Sequence, residues 1–446
     1  MIKLLFKSFF RTKIFVVSLV LLLTVGVISI LIGKQYLVKQ EKAIVAAEKF
    51  QEKSIENNVQ YHKEDLGLLL YYLRFTLIKQ PASLSAISIG QSDVNPILQA
   101  VTIRGLEGQK YDTDFENPSL LMSGNLDLGF VIIYLFPLVL IALTFNLYSE
   151  EKELGTWRML AAQTKNKMIF LLQKLGIRVL FVFVLLLLLI LLASAILQIE
   201  YDQNLLAFAI QGFLYLSFWS ALCLLVVSFR KKSSFNAIGL IAIWVVLTIL
   251  FPAIINNYVL NKYQVPEALH AMLEQRDGYH EKWDLEKDVT MNVFFEDYPQ
   301  FKKHAVPEDR FSWIWYYGMQ YMGDKESHNT SLEMANKILM RNKVSEQVAL
   351  FVPTMHAQLS FNKLAGTDML SHLDFLDALT DFHSNLRLGF YPEIFNEQSA
   401  DVIDWKKHQA KYHELNGDFS WVLILLPTLI ITLLIGGIGI LNLKKV

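Results

Sequence analysis

Residues 177–197 read IRVLFVFVLLLLLILLASAIL, an almost wholly apolar run that is long enough to cross a lipid bilayer as an α-helix. Five further runs have the same character, and together they predict a multi-pass membrane protein. The six predicted spans are 14–32, 126–147, 177–197, 205–229, 235–255 and 419–443. The expected fold class is a mainly α membrane protein with six transmembrane helices.

The composition agrees with this class and excludes others. Of the 446 residues 53% are hydrophobic, and the apolar runs alternate with segments rich in Glu, Lys, Asp, Asn and His. A formal net charge of −1 lacks the basic excess of nucleic-acid-binding proteins, so no nucleic-acid partner is predicted. The single cysteine, Cys223, lies in an apolar run, which excludes an intrachain disulfide and a cysteine-based metal site.

Lysine and arginine residues in the short flanks of the spans predict the orientation. The flank before the first span has four, residues 149–178 have six, residues 230–232 have three, and residues 200–204 have none. The positive-inside rule then places both termini in the cytoplasm. The first apolar run is too long for a cleaved signal and is predicted to stay as an anchor. We expect a multi-pass protein of a bacterial cytoplasmic (inner) membrane.

This orientation divides the chain into five parts. Two large segments lie outside the cytoplasm and are expected to form one mostly helical outer domain with minor β structure. The parts are the cytoplasmic amino terminus with the first span (1–34), the first extracytoplasmic segment (35–125), spans two to five with a cytoplasmic coupling segment at 148–176 (126–256), the second extracytoplasmic segment (257–418), and the last span with the cytoplasmic carboxyl terminus (419–446).

The first extracytoplasmic segment opens with apolar residues at mostly helical intervals. They predict a helix that continues from the first span to about Lys79, where Pro81 would end it. Short β-like pieces are expected around 86–89 and 100–106. The segment is expected to pack against the second extracytoplasmic segment.

The second extracytoplasmic segment also has mainly helical patterns. Residues 331–351 carry apolar side chains at helical spacing. The aromatic cluster at 311–317 admits three interpretations: a core strand, a packing helix, or a lip that touches the membrane surface.

Candidate catalytic and metal-binding residues are scattered along this segment. Asp368, Asp374 and Asp381 near His372 could form an acid–base set, although Gly366-Thr367 before Asp368 favours a helix start. The chain has no nucleophile elbow and no phosphate loop, so no catalytic residue, metal or cofactor is predicted in it. Five histidines lack metal-ligand spacing and are interpreted as structural: His356, His372, His383, His408 and His413.

Residues 148–160, YSEEKELGTWRML, form a charged interruption between the second and third spans. The glutamates would favour the first turn of a helix through the helix dipole and offer salt bridges to a soluble partner. Gly155 permits a bend, and Trp157, Leu160 and Ala161 could face the membrane. Within this stretch, 151–156 resembles the Glu-Arg-Glu-x-Gly-Thr signature of ABC-2-type transporter permeases, with Lys152 in place of the arginine.

A second resemblance lies in the second extracytoplasmic segment. Val352-Pro353-Thr354 and residues 364–368, followed by His372, Phe375 and Arg387, resemble the outer domain of one ABC-2 subgroup. That subgroup carries a domain of unknown function between the fifth and sixth spans, which matches the predicted layout of this chain.

The resemblance implies a permease subunit that couples ATP hydrolysis on a separate cytoplasmic ABC ATPase to substrate export. ATP and Mg²⁺ would bind the ATPase, and the permease would pair with a second copy or a related permease within membrane lipid. The residues implied for ATPase coupling are Glu151, Lys152, Glu153, Gly155 and Thr156. Two alternatives stay open: mechanotransmission to a periplasmic partner without transport, and an envelope sensor or enzyme.

Overall fold

The computed structural model describes residues 2–110, 125–164, 166–308, 310–415 and 417–444. Six helices in these ranges are long and apolar enough to cross a membrane, so the predicted number of spans is confirmed. We number them span 1 to span 6 in chain order. They are Lys13–Tyr61, Leu128–Glu153, Lys167–Leu197, Gln203–Ser228, Ser233–Lys262 and Trp421–Leu443.

Spans 2 and 4 form the centre of the bundle. In the most apolar part of each, 67% of the residues are buried, compared with 11% in span 5 and 17% in span 6. Large side chains of span 4, among them Trp219, Tyr215 and Phe208, are almost fully buried. Because apolar side chains of spans 5 and 6 stay uncovered within the chain, these spans present most of their surface to lipid or to another chain.

Spans 2 and 5 share a local irregularity. Span 2 contains a π-helical turn, Val131–Leu135, directly before Phe136-Pro137. Span 5 repeats it, with a π-helical turn at Val246–Leu250 before Phe251-Pro252. Proline lacks the N–H that an α-helix needs and its ring crowds the preceding turn, so the chain passes it in a widened turn.

Nine further α-helices, labelled α1 to α9, lie outside the spans in the described ranges. Short 3₁₀ turns at Ser83–Ala86, Pro299–Phe301, Ala400–Val402 and Trp405–Lys407 complete the helical structure. The α-helices are Ile2–Phe10, Leu66–Tyr72, Glu107–Lys110, Trp157–Gln163, Glu267–Glu281, Lys287–Asp297, Trp313–Ala349, Pro353–Leu364 and Met369–Phe395.

Span 1 leaves the bundle as an unbroken helix, but it ends at Tyr61 and not near Lys79 as predicted. The carboxylate of Asp65 accepts a hydrogen bond from the N–H of Leu68 and starts α2 (Leu66–Tyr72) as a separate helix. Residues 75–79 form a strand, because sheet pairing and full burial override their helical spacing.

A three-stranded sheet joins the two long segments between spans. Its order is β2-β1-β3, where β1 is Phe75–Lys79, β2 is Leu98–Val101 and β3 is Lys411–His413. β1 pairs antiparallel with β2 and parallel with β3. The predicted β piece at 100–106 is thus confirmed only in part, and the one at 86–89 is wrong, because 3₁₀ geometry and irregular backbone occupy this part of the chain.

Residues 62–110 and 263–415 share a second apolar core and form what we call the head. Side chains from both segments meet there, including Leu69, Phe75, Phe294, Tyr317 and Tyr391. The expected joint domain of the two segments, mostly helical with minor β structure, is confirmed, and its place outside the cytoplasm stays a prediction. Residues 111–124 of the predicted segment 35–125 lie outside the described part of the chain.

The aromatic cluster at 311–317 is a packing helix. It begins α7 (Trp313–Ala349), which also contains most of the predicted helix 331–351. Ile314, Tyr316 and Tyr317 are buried, and the Tyr317 hydroxyl donates to the carbonyl of Gly67 over 2.9 Å. The strand and membrane-lip interpretations are therefore wrong.

Helix α8 (Pro353–Leu364) fastens the head to the bundle. The Thr354 hydroxyl donates to the carbonyl oxygen of Leu247 in span 5. His356 Nε2 lies 2.8 Å from the carbonyl oxygen of Ile424 in span 6. The ring of Phe361 stacks on that of Phe208 in span 4 with centroids 4.2 Å apart. The head therefore contacts three spans through one short helix.

Candidate coupling site

The coupling segment (148–176) turns sharply between spans 2 and 3. Its first part is the short helix Ser149–Glu153, which is the last turn of span 2, and α4 (Trp157–Gln163) follows after a break. Gly155 lies in that break with φ of +73°, a conformation that costs a side-chain-bearing residue more than glycine. A Cβ added to Gly155 would meet no group within 4 Å beyond its chain neighbours, so the requirement for glycine here is conformational and not steric. Lys165 of this segment lies outside the described residues.

Glu151 ties the segment to span 3. Its Oε1 lies 3.0 Å from Nζ of Lys174, and its Oε2 accepts a 2.7 Å hydrogen bond from the Thr156 hydroxyl. The Lys174 side chain is mostly buried and also donates to the carbonyl of Leu147. A partly buried ion pair with extra hydrogen bonds holds a more defined geometry than an exposed one. Glu151 thus attaches the turn between the helix Ser149–Glu153 and α4 to span 3, and Thr156 orients the Glu151 carboxylate.

Glu153 ties the same segment to span 5. The N–H of Ser233, the first residue of span 5, donates to Glu153 Oε1 over 2.8 Å. The Ser233 hydroxyl lies 2.9 Å from Glu153 Oε2 and 2.7 Å from the hydroxyl oxygen of Ser149. A carboxylate at a helix N-terminus interacts favourably with unpaired N–H groups and the helix dipole. Glu153 therefore acts as a cap supplied by a neighbouring element.

The carboxylates predicted to reach a soluble partner are engaged within the chain. Glu150, like Glu151, pairs with Lys174, and Glu153 binds Ser233. Glu150 and Glu151 lie in the first turn of the helix Ser149–Glu153, as the helix-dipole argument predicts, whereas Glu153 is the last residue of that helix. Their roles in ATPase coupling stay a prediction.

The outward surface of the segment includes other side chains besides Glu150 and Glu153. Leu154 is 70% exposed and Met159 is 58% exposed, and Lys152 and Arg158 are exposed beside them. Trp157 and Leu160 instead pack against the buried cluster around Leu147 and Tyr148. The membrane-facing position suggested for these two residues and Ala161 stays a prediction. The segment therefore exposes apolar and charged side chains on one face, while ion pairs and hydrogen bonds on the other side attach it to spans 3 and 5.

Sequence reasoning missed three residues that hold this arrangement: Lys174, Arg178 and Ser233. Arg178 donates to the carbonyl of Leu143 and to Asn146 Oδ1, which anchors the end of span 2 on span 3. Lys174 and Arg178 are four residues apart and share one face of span 3, a spacing that the sequence displays. In the sequence, their charges indicated only the orientation of the spans in the membrane, because nothing in the sequence shows which carboxylates they pair with.

Most of the histidines and acids singled out in the head have structural partners, but Nδ1 of His372 is buried without a hydrogen bond to the described residues. Asp368 is the N-cap of α9 (Met369–Phe395), as the sequence favoured, and Asp374 lies 2.8 Å from His413. Burial lowers the pKa of His372 to about 4 and that of Lys79 to about 8. Asp381 is exposed. Across the described ranges, no three or more His, Cys, Asp or Glu residues are grouped closely enough to hold a metal ion.

A buried ion pair within the second head segment also makes hydrogen bonds to the backbone of the first segment. Arg387 of α9 lies 2.6 Å from Asp324 Oδ2 of α7, and it donates to the carbonyl of Arg104. The Asp324 carboxylate also accepts from the N–H of Leu106. Each charge is compensated, which is the condition for such a pair to be tolerated in a core. Arg387, one of the residues that carry the family resemblance, thus has a structural role in the head.

The fold defines a multi-pass, mainly α membrane protein with a large domain inserted between spans 5 and 6. Residues 268–412, within that insertion, match the family model described as "Domain of unknown function (DUF3526)". The predicted position of a domain of unknown function is thus confirmed. No curated protein and no solved structure matches the chain.

Proposed function

We propose that this chain is the permease subunit of an ABC transporter and couples ATP hydrolysis on a separate cytoplasmic ATPase to substrate export. The observation that carries the proposal is the coupling segment, which binds span 3 through Glu151 and span 5 through Glu153. Its resemblance to the ABC-2 signature and the domain match between spans 5 and 6 support the same family. The ATPase would hold ATP and Mg²⁺, and this chain would carry out no covalent chemistry.

In this proposal the ATPase binds the exposed face of Lys152, Leu154 and Met159. Apolar side chains flanked by charge are typical of the centre of a protein interface. Movement of the ATPase would displace α4, and the two glutamates would transmit that displacement to spans 3 and 5. Gly155 would allow the angle between the helix Ser149–Glu153 and α4 to change, because glycine has few forbidden conformations.

The subunit arrangement follows from the same proposal. Both termini and the coupling segment lie in the cytoplasm of a bacterial inner membrane, and the head lies on the opposite side. Two permeases, either two copies or this chain with a related one, pair with two ATPases. The mostly uncovered surfaces of spans 5 and 6 leave room for such pairing within the lipid.

A second function, mechanotransmission without transport, is supported by the connection between the bundle and the head. Span 1 continues from the bundle as one 49-residue helix, and its Gln51 side chain bonds to the backbone of both head segments, at Thr76 and His408. A rigid helix that is bonded to a domain transmits displacement to it. ATP-dependent cargo movement in vesicles reconstituted with both subunits would favour transport; ATP-dependent head movement alone would favour mechanotransmission.

The test of ATPase coupling uses the full-length chain, co-expressed with a candidate phosphate-loop ATPase from the same organism. We expect Leu154→Asp with Met159→Asp to reduce ATPase co-purification about tenfold or more, because charged side chains at an interface centre are costly. Leu269→Asp, at a 61% exposed leucine of the head, is the matched control and should have no effect. Unchanged co-purification of the double variant contradicts the proposal.

A further inference from the structure

A cavity of about 300 Å³ lies where the head meets span 6. Three elements form it: the last turns of α7, one face of α8, and the first turn of span 6. The contact between His356 and the carbonyl of Ile424 closes its inner side. The cavity is therefore bounded by protein behind and lies beside the start of a membrane-spanning helix.

The lower wall of the cavity is apolar. Leu350, Leu359 and Leu423 line it, and Leu423 is 61% exposed. Phe351 follows Leu350 in the turn between α7 and α8 and is 81% exposed. The next residues, at the start of α8, contact span 5 near its middle at Leu247, so this turn lies at the depth of the spans and not above them. Large apolar side chains uncovered at that depth are suited to lipid chains.

The upper rim of the cavity is basic. Lys343 of α7 and Lys363 of α8 line it, and within the described ranges neither ammonium group has a hydrogen bond or an ion pair. Glu346 is the acid among the lining residues, and Asn342 donates a hydrogen bond to its carboxylate. Lys343 precedes Leu350 by seven residues, which separates the rim from the apolar wall by about 10 Å along the helix.

We propose that this cavity binds a phospholipid with an anionic headgroup. Lys343 and Lys363 would contact the phosphate, and the acyl chains would lie along Leu350, Leu359 and Leu423. Long lysine side chains at the edge of a bilayer reach the headgroup level while their stems cover apolar surface. The vertical separation of charge and apolar wall matches the shape of such a lipid. The proposal does not depend on the transport role, because it needs only that span 6 lies in a membrane.

Two other occupants fit the same surface less well. A free anion would use the lysines but would leave the apolar wall and Phe351 uncovered. A lipid with a zwitterionic headgroup would use the wall but would leave the charge of the two lysines less well balanced. Only an anionic lipid both covers the apolar wall and balances the charge of the two lysines, so the other two occupants are outcomes of the test.

The first experiment measures lipid binding to the full-length chain by native mass spectrometry. The probes are phosphatidylglycerol and phosphatidylcholine with identical acyl chains. We expect phosphatidylglycerol to bind in preference, and Lys343→Gln with Lys363→Gln to weaken its binding about tenfold, to the level of phosphatidylcholine. The matched control is Lys302→Gln with Lys303→Gln, at exposed lysines of the head. Equal losses in both double variants, or no loss in the first, overturn the proposal.

The second experiment tests the apolar wall. Leu423→Asn should weaken the binding of both lipids several-fold. Leu441→Asn, at a similarly exposed leucine near the other end of span 6, should leave their binding unchanged. Inorganic phosphate at millimolar concentration should fail to displace bound phosphatidylglycerol. Displacement by phosphate, or equal binding of the two lipids to the unaltered chain, would identify a free anion or a general lipid contact and so refute the proposed ligand.

Discussion

Lys79 is the last residue of the central strand β1 and is 5% exposed, an unusual environment for an ammonium group. Asp368 and Asp374 act on it through their charges, yet burial dominates and lowers its pKa to about 8. Buried lysines without a close counter-charge respond in this way, because desolvation disfavours the charged form. The head therefore contains a group whose charge opposes folding at neutral pH.

The pH dependence of stability tests this assignment. The pKa of Lys79 is lower in the folded chain, about 8, than in an unfolded one, 10.5, so its contribution to stability is fully present above pH 10.5 and is lost as the pH falls through 8. We expect Lys79→Met to raise the melting temperature relative to the unaltered chain at pH 7. That advantage should shrink steadily between pH 8 and pH 10.5, over a total of up to about 3 kcal/mol.

Other lysines and tyrosines titrate equally in the two chains, so their effect cancels in the difference between the two melting temperatures at each pH. Lys53→Met, at an exposed lysine of span 1, is a suitable control, because its substitution should shift melting equally at every pH. A difference between Lys79→Met and the unaltered chain that stays constant from pH 7 to pH 10.5 would rule out the lowered pKa.

At the scale of elements, capping decides where the first helix of the head, α2, begins after span 1. Span 1 stops at Tyr61, and Asp65 starts α2 by accepting from the N–H of Leu68. Replacing a capping aspartate by alanine costs roughly 1 kcal/mol. We expect Asp65→Ala to lower the melting temperature of the head by a few degrees. Asp65→Asn, which keeps a capping oxygen, should retain most of the stability; equal losses in the two variants would exclude capping as the cause.

The same element shows how far the sequence could lead. Apolar runs are long and unambiguous, so all six spans were predictable from composition. The strand at 75–79 was not, because its identity comes from pairing with residues 98–101 and 411–413 of the folded chain. At the coupling segment the sequence indicated the residue types and their helical turn. The partners Lys174 and Ser233 depend on tertiary placement and were missed.

At the scale of the whole molecule, the head consists of two segments that are far apart in the sequence. The central strand and Leu69, Leu70 and Phe75 come from the first segment, whereas residues 268–412 match the family model. We expect residues 263–415 expressed alone to lack a cooperative melting transition, since their core and sheet would be incomplete. Near-ultraviolet circular dichroism would measure this. A fragment that also contains residues 62–110, joined by a flexible linker, should fold; a folded short fragment would contradict the expectation.

The unbroken helix of span 1 has a geometric consequence. Its 49 residues extend about 73 Å, of which a bilayer core takes up about 30 Å. The length of the remaining part sets the distance between the head and the lipid. Side chains such as Gln51 attach the head to this helix. The hydrogen bonds of Gln51 to Thr76 and His408 form at only one rotation and one height of the helix relative to the head. An insertion of two residues below Gln51 would rotate this side chain by about 200° and raise it by about 3 Å, whereas seven residues would nearly restore the angle at a height about 10 Å greater. The number of residues in this helix therefore determines the position of the head as much as the side chains that bind it do.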